Sequence, residues 1–280
     1  MAIKEITPRK FDEEPEEMPF LDHLEVFRWH LIRSVIAVFV CMLVGFASMN
    51  WVFQEVILGP ASSDFWTYRM MCKISDLLCV SEVNFTLQSR QLSGQFSMHI
   101  LASLVFGIIV AFPYVFWELW RFVRPGLYQK EAKAANSTIF FVTVLFVIGI
   151  LFGYYVISPL SIQFLANYKL DDSIMNQFDI TSYVSTLCMI VLGGGMIFQL
   201  PVIVHFLTSI GMLTPEFMKK YRKHAIVLIF VIAAILTPSP DVLSQLLVAA
   251  PMYLLFELSI FISRSAFKKY QSKEIISNVN

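Results

Sequence analysis

The chain has 280 residues, 57% hydrophobic and 15% charged, with 21 basic residues balanced by 21 acidic ones. Soluble domains carry roughly 45–50% apolar and about 25% charged residues, so this composition excludes an ordinary soluble globular protein. Zero formal net charge gives no support to a nucleic-acid partner, and none is expected; the information lies in where the charges fall.

Met1 to Asp22 is an acidic segment, with Asp12, Glu13, Glu14, Glu16 and Glu17 close together. A cleavable signal peptide would place a basic stretch and a short apolar core there. Residues 1–22 are therefore expected to stay as a cytoplasmic tail. Six apolar runs follow: Val35–Phe53, Met98–Trp120, Ile139–Leu165, Tyr183–Ile210, Ala225–Thr237 and Val242–Ile262. A spanning helix needs roughly 20 apolar residues. Four runs meet that easily, and the sixth meets it narrowly, interrupted by Pro251. The fifth has 13 residues, about 20 Å of helix. Pro238-Ser239-Pro240-Asp241 turns it directly into the sixth. The pair reads as a short helical hairpin that borrows Tyr221–His224 or thins the bilayer locally.

Orientation follows from Lys and Arg. With the N-terminus inside, all but four of the 21 basic residues face the cytoplasm; Arg69, Lys73, Arg90 and Lys169 stay outside. The expected fold is a single all-α polytopic membrane domain of six transmembrane helices, N-in and C-in. Residues 54–96 form a periplasmic cap loop with short helices, and 264–280 form a cytoplasmic tail. Pro113, Pro159, Pro201 and Pro251 each remove a backbone donor inside a run, which favours kinks and a concave bundle.

Cys41 and Cys188 lie in apolar runs and read as packing residues. Cys72 and Cys79 fall in the outer loop, where an oxidising compartment permits a disulfide. A continuous helix would separate them by about 10 Å, beyond the roughly 7 Å limit for a bridge. A disulfide therefore requires a bend near Ser75–Asp76; without it both thiols are free.

No phosphate-binding loop, HExxH or GxSxG pattern occurs. No catalytic residue, metal or cofactor is expected. Polar groups at membrane depth are Glu118, Gln199, Gln245 and Glu257. A carboxylate there is costly, so Glu257 reads either as an interhelical hydrogen-bonding group or as an ion site. Gln199 stands beside Pro201, where a broken helix could expose carbonyls.

Five stretches carry a resemblance: FLDHLEVFRWHLIRS (Phe20–Ser34), FVRPGLYQKEAK (Phe122–Lys133), FQLP (Phe198–Pro201), LTPSPDVLSQ (Leu236–Gln245) and LLFELSIFISR (Leu254–Arg264). In order and spacing the chain resembles TatC, the receptor subunit of the twin-arginine protein translocase. The resemblance implies a glove-like fold with short helices 5 and 6. It implies a non-enzymatic multi-pass protein of the bacterial inner membrane that binds the twin-arginine signal peptides of folded cargo. Transport would use the proton-motive force and single-span partners of the TatA and TatB type, within an oligomeric complex.

By position, Glu131 takes the place of the signal-binding glutamate, with Phe122, Leu127 and Tyr128 in the same loop and Arg28 in the helix 1 signature. Val26 stands where the signature has a second glutamate, while Glu25 lies one residue earlier, a rotation of about 100°. Gln199 stands where many members carry glutamate. Gln199, Pro201 and Glu257 are the candidates for docking a partner's helix beside the short fifth helix. The rival reading, a secondary transporter for a small solute, requires several polar groups converging at the midplane.

Overall fold

The computed structural model describes residues 20–74, 85–123, 135–171, 176–237 and 242–279. Five helical segments are long and apolar enough to cross a membrane: Glu25–Ala47, Gly94–Phe122, Thr138–Asn167, Ile180–Ser209 and Gln245–Lys268. The main α-helices among the described residues are α1 (Phe20–Ala47), α2 (Trp66–Ile74), α3 (Gly94–Val123), α4 (Ala135–Phe152), α5 (Ser158–Asn167), α6 (Ile180–Ile197), α7 (Leu200–Ser209), α8 (Pro215–Lys220), α9 (Arg222–Leu236) and α10 (Val242–Val279).

The expected fifth span is α9. Its 15 residues give about 22 Å of helix, short of the roughly 30 Å hydrocarbon core. The expectation of a short sixth helix is corrected. α10 has 38 residues and continues through the predicted C-terminal tail. Pro251 sits inside it without ending it, as Pro113 does within α3.

The other two prolines do interrupt helices. Pro159 opens α5 after a π-helical turn, Gly153–Ile157. Proline cannot donate to the carbonyl four residues back, here that of Tyr155. The hydroxyl of Thr67 on α2 donates to that carbonyl instead, at 2.6 Å. Pro201 opens α7 after a break at Phe198–Gln199.

The described residues of the 54–96 segment are tied to the helices by a tyrosine framework that the sequence pattern did not announce. The hydroxyl of Tyr154 donates to the Val56 carbonyl at 2.7 Å, and that of Tyr183 to the Ile57 carbonyl at 2.6 Å. The Tyr68 hydroxyl lies 3.0 Å from the Pro60 carbonyl and 2.9 Å from the Pro159 carbonyl, and burial raises its pKa. The Val56, Ile57 and Pro60 carbonyls lie in the π-helical and 3-10 turns, where the α-helical ladder does not satisfy them. Cys72 is disulfide-bonded, while Cys41 and Cys188 are free; Cys79 lies outside the described residues.

Among the described residues, one short strand pair adds to an otherwise mostly helical fold. Strand β1 (Thr86–Gln88) pairs in parallel with β2 (Gln177–Asp179), Leu87 opposite Phe178. Asp179 then caps α6, its carboxylate accepting the Thr181 N–H at 3.0 Å. That bond holds the carboxyl below its usual pKa.

Glycines set the closest helix contacts. A Cβ at Gly149 would lie 2.6 Å from the Gly194 carbonyl oxygen, and one at Gly153 would lie 2.9 Å from that of Ile190. Bare backbones thus let α4 and the following π turn approach α6, as small residues do in membrane bundles.

Candidate functional site

The start of α1 meets the end of α3, and this is where the sequence placed the receptor surface. The rings of Phe27 and Phe122 pack at 5.0 Å. One turn deeper, His30 Nδ1 bonds the carboxylate of Glu118. The Tyr114 hydroxyl donates to the other oxygen of that carboxylate at 2.9 Å. Glu118 is 1% exposed. In this setting a bare carboxylate would be costly, and two partners offset its desolvation.

Above this buried pair the surface is charged and aromatic. Glu25 and Arg28 are exposed, and Glu25 makes no ion pair among the described residues. Arg28 lies 5.7 Å from the Trp29 ring, and Arg121 lies 4.8 Å from that of Trp117. Val26, at the second glutamate position, is 41% exposed. Leu127, Tyr128 and Glu131 lie outside the described residues. α3 ends at Val123, next to Phe122, and α4 begins at Ala135, four residues past Glu131 in sequence.

His30 and Tyr114 were missed in the sequence reading. The available signal was Glu118 itself: an isolated carboxylate in an apolar run needs a partner, and His30 is among the few polar side chains at the matching depth of α1.

The three intramembrane candidates do not form one site. Gln199 is 8% exposed and donates through Nε2 to the Val142 carbonyl of α4 at 3.3 Å. This places it between α4 and α7. Its Oε1 is buried without a hydrogen-bond partner. Pro201, two residues on, is buried. Glu257 on α10 instead pairs with Arg222 at the start of α9, at 2.9 Å, so α9 is tied to α10 at this end. Near the other end, Gln245 Nε2 donates to the Phe230 carbonyl at 3.0 Å. Between these ties, α9 and α10 frame a shallow apolar cavity of about 230 Å³, lined by Ile226, Ala249 and Tyr253 among others. The convergent polar site that a small-solute transporter needs is not formed by these groups.

Comparison with known proteins agrees with this layout. Residues 22–251 match the family model described as Sec-independent protein translocase protein (TatC). The chain is 36% identical over 263 residues to the TatC of Blattabacterium sp. subsp. Periplaneta americana, covering 91% of this chain and 98% of that one. It is 31% identical to TatCy of Bacillus subtilis, with 91% and 92% covered. The crystal structure of a twin-arginine translocase receptor, TatC, superposes with a TM-score of 0.70 at 30% identity, covering 87% of this chain and 99% of that chain. The chain belongs to the TatC family of Sec-independent protein translocase proteins.

Proposed function

We propose that this translocase subunit is the receptor for twin-arginine signal peptides, and that the peptide's arginine pair binds where α1 meets α3. The observation that carries the proposal is the buried clamp of His30, Glu118 and Tyr114 beneath the Phe27–Phe122 contact. It fixes the α1 surface bearing Glu25 and Arg28 beside the exit of the loop that holds Leu127, Tyr128 and Glu131. A guanidinium fork is best matched by carboxylates held in fixed relation. The clamp supports that fixity for Glu25, and Glu131 lies in sequence between the end of α3 at Val123 and the start of α4 at Ala135. The chain acts by binding and not by catalysis.

The orientation is N-in and C-in with six spans. α9 crosses as a short helix that borrows the Arg222 end and thins the bilayer. The basic end then faces the cytoplasm of a bacterial inner membrane, where newly made cargo arrives. Single-span partners of the TatA and TatB type dock on the apolar face framed by α9 and α10. Glu257 serves there as the ion-pair partner of Arg222. Gln199 acts from inside the bundle, holding α7 to α4.

A double-mutant cycle tests the receptor site: Glu131→Ala against an Arg→Gln change in the peptide, with affinity read in micelles. A charge-assisted hydrogen bond contributes about 1.5–3 kcal/mol. Glu131→Ala should therefore weaken binding roughly tenfold to a hundredfold, and the peptide change should cost little more in that background. Strictly additive losses would show that Glu131 and the arginine do not meet.

A further inference from the structure

At the Arg222–Glu257 end of the bundle, a second cavity of about 360 Å³ opens among α7, α8, α9 and α10. Its walls are apolar, with Val204, Leu228, Met252 and Phe256 among them. Phe217 and Tyr221 stand at its rim, 52% and 41% exposed, with rings 4.5 Å apart. The chain here reads TPEFMKKYRK, from Thr214 to Lys223. Lys219, Lys220 and Lys223 are exposed and join no ion pair among the described residues. Lys220 Nζ lies 5.9 Å from the Tyr221 ring. Arg222 is taken by Glu257, and Glu216 is the segment's one carboxylate.

The apolar walls suit a flexible acyl chain. Charge decides the headgroup. Three unpaired ammonium groups beside a membrane surface attract anionic lipid, and an aromatic pair at the same level suits the interface. The neighbouring α9 is too short to match the hydrocarbon core, so lipid must adapt at this flank.

We propose that this cavity and its rim bind one anionic phospholipid, with an acyl chain against Leu228 and Phe256 and the headgroup phosphate on Lys219, Lys220 and Lys223. The site is independent of the receptor surface at α1 and α3.

The test uses the full chain in a neutral detergent. Retained lipid is counted by native mass spectrometry, and affinity is read by thermal unfolding. The probes are dioleoylphosphatidylglycerol, dioleoylphosphatidylcholine and glycerol 3-phosphate. The wild type should hold the anionic lipid at least tenfold more tightly than the zwitterionic one, at one copy per chain. Combined Lys219→Gln, Lys220→Gln and Lys223→Gln should abolish that preference, with lipid-free unfolding unchanged because all three side chains are exposed. Ala225→Phe, which narrows the cavity, should weaken both lipids. Equal binding of the two lipids by the wild type, or an undiminished preference in the lysine variant, would overturn the proposal. So would glycerol 3-phosphate binding as tightly as the anionic lipid, which would mark a site for free phosphate.

Discussion

His30→Ala would leave the Glu118 carboxylate buried with the Tyr114 hydroxyl as its one remaining partner among those seen here. Removing one member of a buried pair costs about 3–5 kcal/mol, because the other stays desolvated and uncompensated. At about 2–4 °C per kcal/mol for a chain of this size class, the unfolding midpoint should fall by roughly 10 °C. Glu118→Gln is milder: its carbonyl still accepts from Tyr114 and its amide can donate to the imidazole. The loss should approach the difference between charged and neutral hydrogen bonds, about 1 kcal/mol. Combining His30→Leu with Glu118→Leu removes both polar groups at once and should recover most of the stability lost in the His30 single variant. Thermal unfolding of the four proteins in one detergent makes the comparison. A His30→Ala penalty below about 1 kcal/mol, or a double variant less stable than His30→Ala, would refute the reading of a desolvated pair.

Two further substitutions probe the outer half. Thr67→Val keeps the shape and strands the Tyr155 carbonyl freed by Pro159; it should cost about 1–3 kcal/mol, seen as faster amide exchange around the π turn. Gly149→Ala places a Cβ 2.6 Å from the Gly194 carbonyl oxygen, so α4 and α6 must part, at about 1–3 kcal/mol; unfolding midpoints check this, with Ala substitution at an exposed site such as Val147 as the control.

Much of this was legible in the chain, for separable reasons. Spans follow from composition over 20 residues, so five of the six expected runs overlap segments long and apolar enough to cross, and α9 is short for the reason its 13-residue run is short. All four interior prolines were read as favouring kinks. Pro159 and Pro201 open new helices after breaks, while Pro113 and Pro251 lie inside continuous helices, because the proline rule fixes the lost bond and the surroundings decide whether the helix is interrupted. The β1–β2 pair was invisible. Each strand has three residues, too few for a period-2 pattern, and the partners lie about ninety positions apart. His30 and Glu118 are 88 positions apart. Nothing local to either residue reveals that α1 and α3 set them at one depth. Gln199 was read from its own helix alone, which does not reveal its hydrogen bond to the Val142 carbonyl of α4.

The exposed turn of α1 allows one more step. Glu25 and Val26 are both exposed, so the rotation between them does not hide either from the surface that the clamp holds against α3. A carboxylate at either position is on the solvent side, with Val26 directly one turn above His30. If Glu25 has taken over from the glutamate that the family resemblance places at position 26, Glu25→Ala should weaken signal-peptide binding, and Val26→Glu in that background should restore it. An exposed pair contributes about 0–1 kcal/mol, so each change should move affinity no more than roughly fivefold, well below the loss at Glu131. The comparison is made at low and high salt, since screening should shrink both effects together. Restoration by Val26→Glu that persists undiminished at high salt would show that packing and not charge had changed. No loss from Glu25→Ala would leave Glu131 as the sole carboxylate acting on the arginine pair.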